Sequence, residues 1–268
     1  LQWRGAAVGE AAVLDLDDGT FAPQAGARPK DIAIGTSGWA YGSWRGPFYP
    51  KEVKVRDQLA YYATRFPTAE INDSFYRLPT VKSVAEWRTA VPEGFVFAWK
   101  ATRFITHFKR LKDCAESLQT VFGRMGELGP ALGPTLFQLP PQFRADRERL
   151  AGFLNLLPKT GRHAFEFRHA SWYAPDILDV LRDHNAALCI SDHAAAPSPR
   201  EATADFVYLR GHGPGVIYGG SYAEETLDDW AASIQGWRQA GREIFVYLDN
   251  EQKSQAPKDA ERLIEKLV

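Results

Sequence analysis

Cysteine, methionine and an excess of either charge are what this sequence has least of. Its 268 residues include two cysteines and one methionine, and 32 Lys and Arg stand against 33 Asp and Glu, for a formal net charge of -1. Cys114 and Cys189 occupy helical or apolar contexts without metal-type spacing. They read as reduced packing residues, not as a disulfide, a nucleophile or ligands. The balanced charge excludes a global basic field for nucleic acid and leaves only a local patch to serve one. No run of about 18 apolar residues occurs, so no membrane span is expected. Residues 1–30 lack the basic-then-apolar pattern of a secretory signal, and a cytoplasmic location is the default expectation. Missing too are His-Glu-x-x-His, a nucleophile-elbow serine with triad order and a phosphate-binding P-loop.

What the sequence does have is alternation. The segment Leu1–Lys30 is rich in Gly, Ala and Pro and reads as an N-terminal extension, and residues 31–268 read as one domain. Strands are expected at 31–35, 69–72, 95–100, 135–139, 164–168, 187–191, 206–210 and 243–248. Between most of them lie helical patterns. One covers 55–66, another follows a Thr80 cap to Ala90, and a third spans 112–128. Asp146 caps a fourth to Leu157, and Pro175 opens a fifth to His184. Ser221-Tyr222-Ala223-Glu224 has the spacing of a capping box before a helix to Ala240, and Pro257 opens a last helix to Leu267. Residues 194–204, with Pro197 and Pro199, offer no helix. Strand–helix alternation of this kind predicts an α/β fold with a parallel sheet. Eight units in about 240 residues predict a closed (β/α)8 TIM-type barrel with the helix after strand six missing or irregular. An open doubly wound sheet is the alternative, but Gly35-Thr36-Ser37-Gly38-Trp39 has the wrong spacing for its glycine-rich dinucleotide turn.

Barrel enzymes carry their sites at the C-terminal strand ends. The period-two rule turns Glu70 and Asn72 inward on strand two, Lys100 on three, Gln138 on four and Glu166 with Arg168 on five. Asp192 follows strand six, Arg210 and His212 close seven, and Asp249 or Asn250 closes eight, depending on register. Carboxylates and cations are balanced in this set, which disfavours a metal centre; a single divalent ion on Glu166, Asp192 and His212 is the remaining metal option, and no cofactor is expected. Glu166, His212 and Asp192 are the candidate catalytic groups, with Glu166 as general acid or base and His212 sharing proton transfer. Lys100, Arg168 and Arg210 would clamp an anion. Tyr76, His107, His169, Trp172 and Tyr222, in post-strand loops, would line the site beside Glu70, Asn72, Gln138 and Asn250. A purely structural ring of ion pairs accounts for the same charges.

The loop Gly211-His212-Gly213-Pro214-Gly215 has the glycines to bring backbone N–H groups to an anion, or simply to turn tightly. Arg103, Phe104, His107, Phe108, Lys109 and Arg110 interleave basic and aromatic residues, as single-stranded nucleic acid requires, although buried phenylalanines in a solvated basic loop would give the same pattern. Carboxylate pairs for glycoside hydrolysis exist in Glu70 with Glu166 or Glu166 with Asp192, but neighbouring Arg and Lys would keep both members ionised. The expected function is an enzyme, a hydrolase by preference, for a small polar anion such as a sugar phosphate or nucleotide. A nucleic-acid binder or nuclease and a non-catalytic scaffold are the alternatives, and the sequence does not set the oligomeric state.

Several stretches also resemble the YecE-like family, a domain of unknown function. They are Ile34-Gly35-Thr36-Ser37-Gly38-Trp39, Glu70-Ile71-Asn72-Asp73-Ser74-Phe75-Tyr76, Lys100-Ala101-Thr102-Arg103-Phe104-Ile105-Thr106-His107, Leu136-Phe137-Gln138-Leu139-Pro140-Pro141 and Phe165-Glu166-Phe167-Arg168-His169, with Asp192 and Arg210-Gly211-His212-Gly213. The resemblance runs from about Asp31 to the end and implies a TIM-type barrel without implying a reaction. It departs at strand eight, where Asp249-Asn250-Glu251 stands in place of Asn-Asn-Asp.

Overall fold

A computed structural model describes residues 31–215 and 218–267; the N-terminal extension expected at 1–30 lies outside the described residues. Eight parallel strands close into a barrel in sequence order: β1 (Ile32–Ser37), β2 (Thr68–Ile71), β3 (Val96–Lys100), β4 (Leu132–Gln138), β5 (His163–Glu166), β6 (Ala187–Ser191), β7 (Phe206–Gly211) and β8 (Glu243–Leu248), the last pairing with the first. Around them run α1 (Gln58–Arg65), α2 (Val81–Thr89), α3 (Ala115–Gly126), α4 (Arg147–Leu154), α5 (Pro175–Asp183), α6 (Glu224–Gln239) and α7 (Gln255–Glu265). The fold is the expected α/β TIM-type barrel.

Period-two alternation divides the core. Phe165, Leu188, Val207, Leu209, Ile244, Val246 and Leu248 pack outward with the helices. Ala98, Leu136, Ala164, Cys189, Tyr208, Phe245 and Tyr247 fill the barrel interior. Small residues on β3, β5 and β6 leave room for the two inward tyrosines of β7 and β8, whose rings lie 5.1 Å apart. Above that layer the inward positions turn polar, which is where a barrel of this kind can hold chemistry.

Local rules account for most element ends. Thr80 accepts from the Ser83 N–H at 3.0 Å and Asp146 from the Arg149 N–H at 3.0 Å, so both expected caps form. The helix expected from Lys112 begins only at Ala115, because Arg110, Leu111 and Asp113 all hold positive φ, which no right-handed helix admits. The Ser221 capping box does not form. The cap position of α6 is Ala223, and the Ser221 hydroxyl donates instead to Asp259 Oδ1 at 2.7 Å. No helix joins β6 to β7 among the described residues. There the loop serves β6 as a neighbouring strand would: Ser198 Oγ accepts from Ser191 N–H at 2.8 Å, and Thr203 Oγ1 accepts from Leu188 N–H and donates to the Ala186 carbonyl, both at 2.7 Å. Gly35 is required in β1 because a Cβ there would stand 2.1 Å from the Thr68 carbonyl oxygen. The Tyr62 hydroxyl stands 2.8 Å from the same point, accepting from Thr36 N–H at 2.8 Å and donating to the Thr68 carbonyl at 3.0 Å, and so ties β1 to β2.

Candidate active site at the barrel mouth

The polar layer is organised by Arg210, whose side chain is fully buried. Nη2 donates to Glu70 Oε1 at 2.9 Å, Asp249 Oδ2 at 2.8 Å and Ser37 Oγ at 3.0 Å, and Nη1 donates to Glu166 Oε2 at 2.9 Å. One guanidinium therefore holds three carboxylates from three sides of the barrel. Arginine suits this position because its fork is rigid and carries its charge at any physiological pH. The remaining acceptor capacity is also used. Tyr208 donates to Glu70 Oε2 at 2.6 Å, Ser37 to Glu70 Oε1 at 2.6 Å and Gln138 to Glu166 Oε2 at 2.8 Å.

Glu166 Oε1 faces Arg168 Nη2 at 2.5 Å and His212 Nε2 at 3.2 Å. Burial alone would raise the Glu166 pKa, but Arg168, Arg210 and His212 together hold it well below the usual carboxylate range. The group is a permanent anion with little capacity to carry a proton. His212 is pulled down by burial, yet Glu166 and the hydrogen bonds to Asp192 and Glu166 carry its pKa above the ordinary value. Its Nδ1 lies 3.5 Å from Asp192 Oδ1, and its backbone N–H donates to the same oxygen at 2.7 Å. Asp192 Oδ2 accepts from the Tyr222 hydroxyl, which in turn accepts from Gly213 N–H at 2.7 Å. Glu166, His212 and Asp192 are thus brought together in one chain, beneath the mouth rather than in the open.

The open part is a cleft of about 450 Å³ whose lining includes Trp39, Asn72, Tyr76, Lys100, Asp249 and Glu251. Lys100 is the charged group that the ring leaves out. Its side chain is 7% exposed, and among the described residues no carboxylate lies within 4.0 Å of Nζ and no hydrogen bond reaches it. The ammonium sits 4.3 Å over the Phe75 ring. Ser74 fixes the end of β3 under it, donating to the Lys100 carbonyl at 2.6 Å. Burial, then the Arg210 charge, lowers the Lys100 pKa to about 8. Glu166, Glu70 and Asp249 pull the value back up, but all three make their direct contacts with Arg210 and none pairs with Lys100.

A second group reports the same field. His107 packs edge-on to Phe75 at 5.0 Å, and burial together with Lys100, Arg103 and Arg168 drives its pKa down to about 4. Three cations around a neutral imidazole make the surroundings of His107 positive, while Asp73, Asp249 and Glu251 line the cleft with Lys100. Arg168 also retains capacity, since its Nε is buried without a hydrogen-bond partner. Two residues of the cleft lining also carry unsatisfied acceptors: Asn72 Oδ1 and Glu251 Oε2 are both buried and unpartnered. Burial, chiefly, raises the Glu251 pKa. Among the described residues no three His, Cys, Asp or Glu side chains gather in a geometry that would hold a metal ion.

The other expected site residues fall into two groups. Tyr76 stands at the cleft, 66% exposed. Trp172 is fully buried, stacked on Phe167 at 4.8 Å, with Nε1 donating to the Phe143 carbonyl at 2.6 Å. His169 caps a turn over Ala170–Tyr173 through Nδ1, which accepts from Ser171 N–H at 3.1 Å. Asn250 points away from the mouth, donating to the Gly220 carbonyl at 2.7 Å and Asp259 Oδ2 at 2.8 Å. Asp249, not Asn250, takes the inward position, and the signal was the inward parity of Phe245 and Tyr247. Glu251, Tyr41 and Trp87 also line the cleft. They arrive from loops and a helix, where no strand alternation marks them. Phe104 and Phe108, for which burial was the simpler reading, are 47% and 67% exposed.

Among the described residues no helix is long and apolar enough to cross a membrane. A family model described as a protein of unknown function, DUF72, matches residues 33–268. The UPF0759 protein YunF of Bacillus subtilis (strain 168) is 25% identical over 269 residues, covering 88% of this chain and 94% of that protein. A crystal structure of a DUF72 family protein from Thermotoga maritima has a TM-score of 0.79 at 27% identity, over 88% of this chain and 98% of that one. A xylose isomerase-like TIM barrel protein from Mycobacterium smegmatis, in complex with magnesium, shares the fold alone, with a TM-score of 0.54 at 13% identity over 88% of this chain and 96% of that one. The barrel and the length of the match agree: this chain belongs to the DUF72 family, proteins of unknown function.

Proposed function

We propose that the chain is an enzyme whose cleft at the C-terminal face of the barrel takes a small polar anion of the sugar phosphate or nucleotide kind. The observation that carries this reading is Lys100, a buried ammonium that lines the cleft without a counter-ion. A buried charge without a partner is costly to folding, and a site that awaits an anion is a common reason to keep one. Arg168 and Arg103 add to the same field around His107, while Asn72 Oδ1 and Glu251 Oε2 suit the hydroxyls of a polyol. Trp39 and Tyr76 supply aromatic surface for a sugar or a base. Hydrolysis with Glu166 as the acid is less well supported, because Arg168 and Arg210 keep that carboxyl ionised. Glu251, whose carboxyl pKa is raised, suits a proton-carrying role better. On this reading Glu166, His212 and Asp192 hold the mouth in shape from below. Calorimetric titration of the protein with inorganic phosphate and with glucose 6-phosphate tests the proposal. Binding that Lys100→Met and Arg168→Met both weaken is expected; binding untouched by either, or none at all, refutes it.

A second reading has its own observation. Tyr76, Phe104 and Phe108 are exposed, Arg103 lies 5.6 Å from both the Tyr76 and the Phe108 ring, and Lys109 lies 5.3 Å from Phe104. Cations between exposed rings are the parts of a stacking platform for single-stranded nucleic acid. Affinity for a labelled oligothymidylate that falls steeply with salt and drops in Phe108→Ala supports this reading, and salt-independent or absent binding removes it. The YecE-like family, on this proposal, is the DUF72 family under another name. The buried, unpaired Cys114 and Cys189 suit a reducing compartment such as the cytoplasm.

A further inference from the structure

Lys100 does more in this geometry than a phosphate-binding lysine would. An anion-binding lysine works best fully charged and part-solvated, whereas this one is sequestered at the end of β3 against the Phe75 ring, with every nearby ring carboxylate taken by Arg210. Lys100 lines a cleft that Glu251, whose Oε2 has no partner, lines as well. Arg168, which acts with Lys100 and Arg103 on His107, is a second cation of the mouth, its Nη2 held 2.5 Å from Glu166 Oε1.

We propose that Lys100 is the amine nucleophile of this cleft, forming an imine with a carbonyl compound that also bears a carboxylate or phosphate. This rests on the anion-site reading above and names its substrate class. The neutral Nζ attacks the carbonyl carbon, an N–C bond forms, and the carbonyl electron pair moves to oxygen, which takes a proton from the Glu251 carboxyl. The ammonium nitrogen of the resulting carbinolamine returns a proton to the Glu251 carboxylate. Glu251 gives that proton to the hydroxyl, which leaves as water while the nitrogen lone pair closes the C=N bond, and the iminium N–H proton restores the Glu251 carboxyl. Amine and carbonyl give imine and water, with no oxidant or reductant consumed. A pKa near 8 leaves far more of Lys100 deprotonated at neutral pH than an ordinary lysine.

The full chain is incubated at pH 7.5 with dihydroxyacetone phosphate or pyruvate and sodium cyanoborohydride, which reduces imines to stable amines, and adducts are mapped by peptide mass spectrometry. Calorimetry with each probe, without reductant, runs in parallel. The expected result is an adduct on Lys100 at least about tenfold above that on any other lysine, following its larger amine fraction, and lost in Lys100→Arg. Glu251→Gln, which leaves the lysine in place, should slow adduct formation by a larger factor than it weakens probe binding; equal losses in both would remove Glu251 as the proton donor. Binding of a probe without enrichment at Lys100 overturns the imine and leaves the anion site standing. Neither binding nor enrichment overturns both.

Discussion

Replacing Lys100 with methionine should stabilise the protein at neutral pH. The side chain is 7% exposed and the ammonium has no ion pair among the described residues. Burial and the Arg210 charge bring its pKa from 10.5 to about 8. At about 1.4 kcal/mol for each pKa unit, the charged form costs the fold roughly 3 kcal/mol. Methionine keeps an unbranched chain of similar length and removes the charge. The sign follows from proton counts. In the unfolded chain the lysine titrates near 10.5 and in the folded one near 8, so between these values the unfolded state binds more protons and wild-type stability rises with pH. Below pH 8 both states are protonated and the full penalty stands; above about pH 10.5 both are neutral and it is gone. The variant should therefore melt about 6–12 °C above wild type at pH 7, taking about 2–4 °C per kcal/mol for a domain of this size. That margin should shrink steadily from pH 8 to pH 10. Thermal unfolding followed by circular dichroism across pH 6–10 measures it. A variant that melts below wild type at pH 7, or a margin indifferent to pH, would mean that Glu70, Glu166 or Asp249 neutralises Lys100 in solution. The argument for a free amine would then fail.

Three further outcomes are expected. Glu166→Gln should lose about 3–5 kcal/mol in urea unfolding at pH 7, because Arg168 keeps its place without its anion; the Glu166 pKa is depressed in the fold, so this loss should persist above the unfolded carboxylate value of about 4.3 and fade as pH drops below it, and a neutral substitution would contradict the Arg210 ring as a stabilising device. His107 should titrate near 4 in a proton NMR experiment and move upward when inorganic phosphate is added, since an anion would offset Lys100, Arg103 and Arg168; a midpoint near 6.5 without ligand would show that the mouth is not electropositive. Gly35→Ala should destabilise by about 3 kcal/mol or more, because its Cβ would meet the Thr68 backbone oxygen at 2.1 Å and the Tyr62 hydroxyl at 2.8 Å, and an unchanged urea midpoint would refute the close approach of β1 and β2.

The barrel was legible because each strand states its own parity. Phe165 and Phe167 alternate with Glu166 and Arg168, and burial outside and polarity inside follow from that one choice. The same rule carried to β8 would have separated Asp249 from Asn250, because Phe245 and Tyr247 point inward and the next odd position must join them. Alternation stops where the strands stop. Trp172 and His169 follow β5 directly, yet one closes the core and the other caps a turn. Glu251 and Tyr41 reach the cleft from loops, and nothing local distinguishes them from loop residues that face solvent. The ring's division of labour was hidden for a different reason. Sequence counts charges, and Glu70, Glu166 and Asp192 against Lys100, Arg168 and Arg210 suggest three pairs. The structure shows that one guanidinium takes three carboxylates, as its planar fork allows and an ammonium would not. Asp249, left open in the count, fills the place assigned to Asp192, and Asp192 turns instead to Tyr222 and the His212 backbone. Balance on paper thus becomes imbalance in space, and the remainder is Lys100. A chain of almost balanced charge can still present one unpaired buried amine to a ligand, provided that the geometry of its arginine, rather than the number of its acids, decides who is paired.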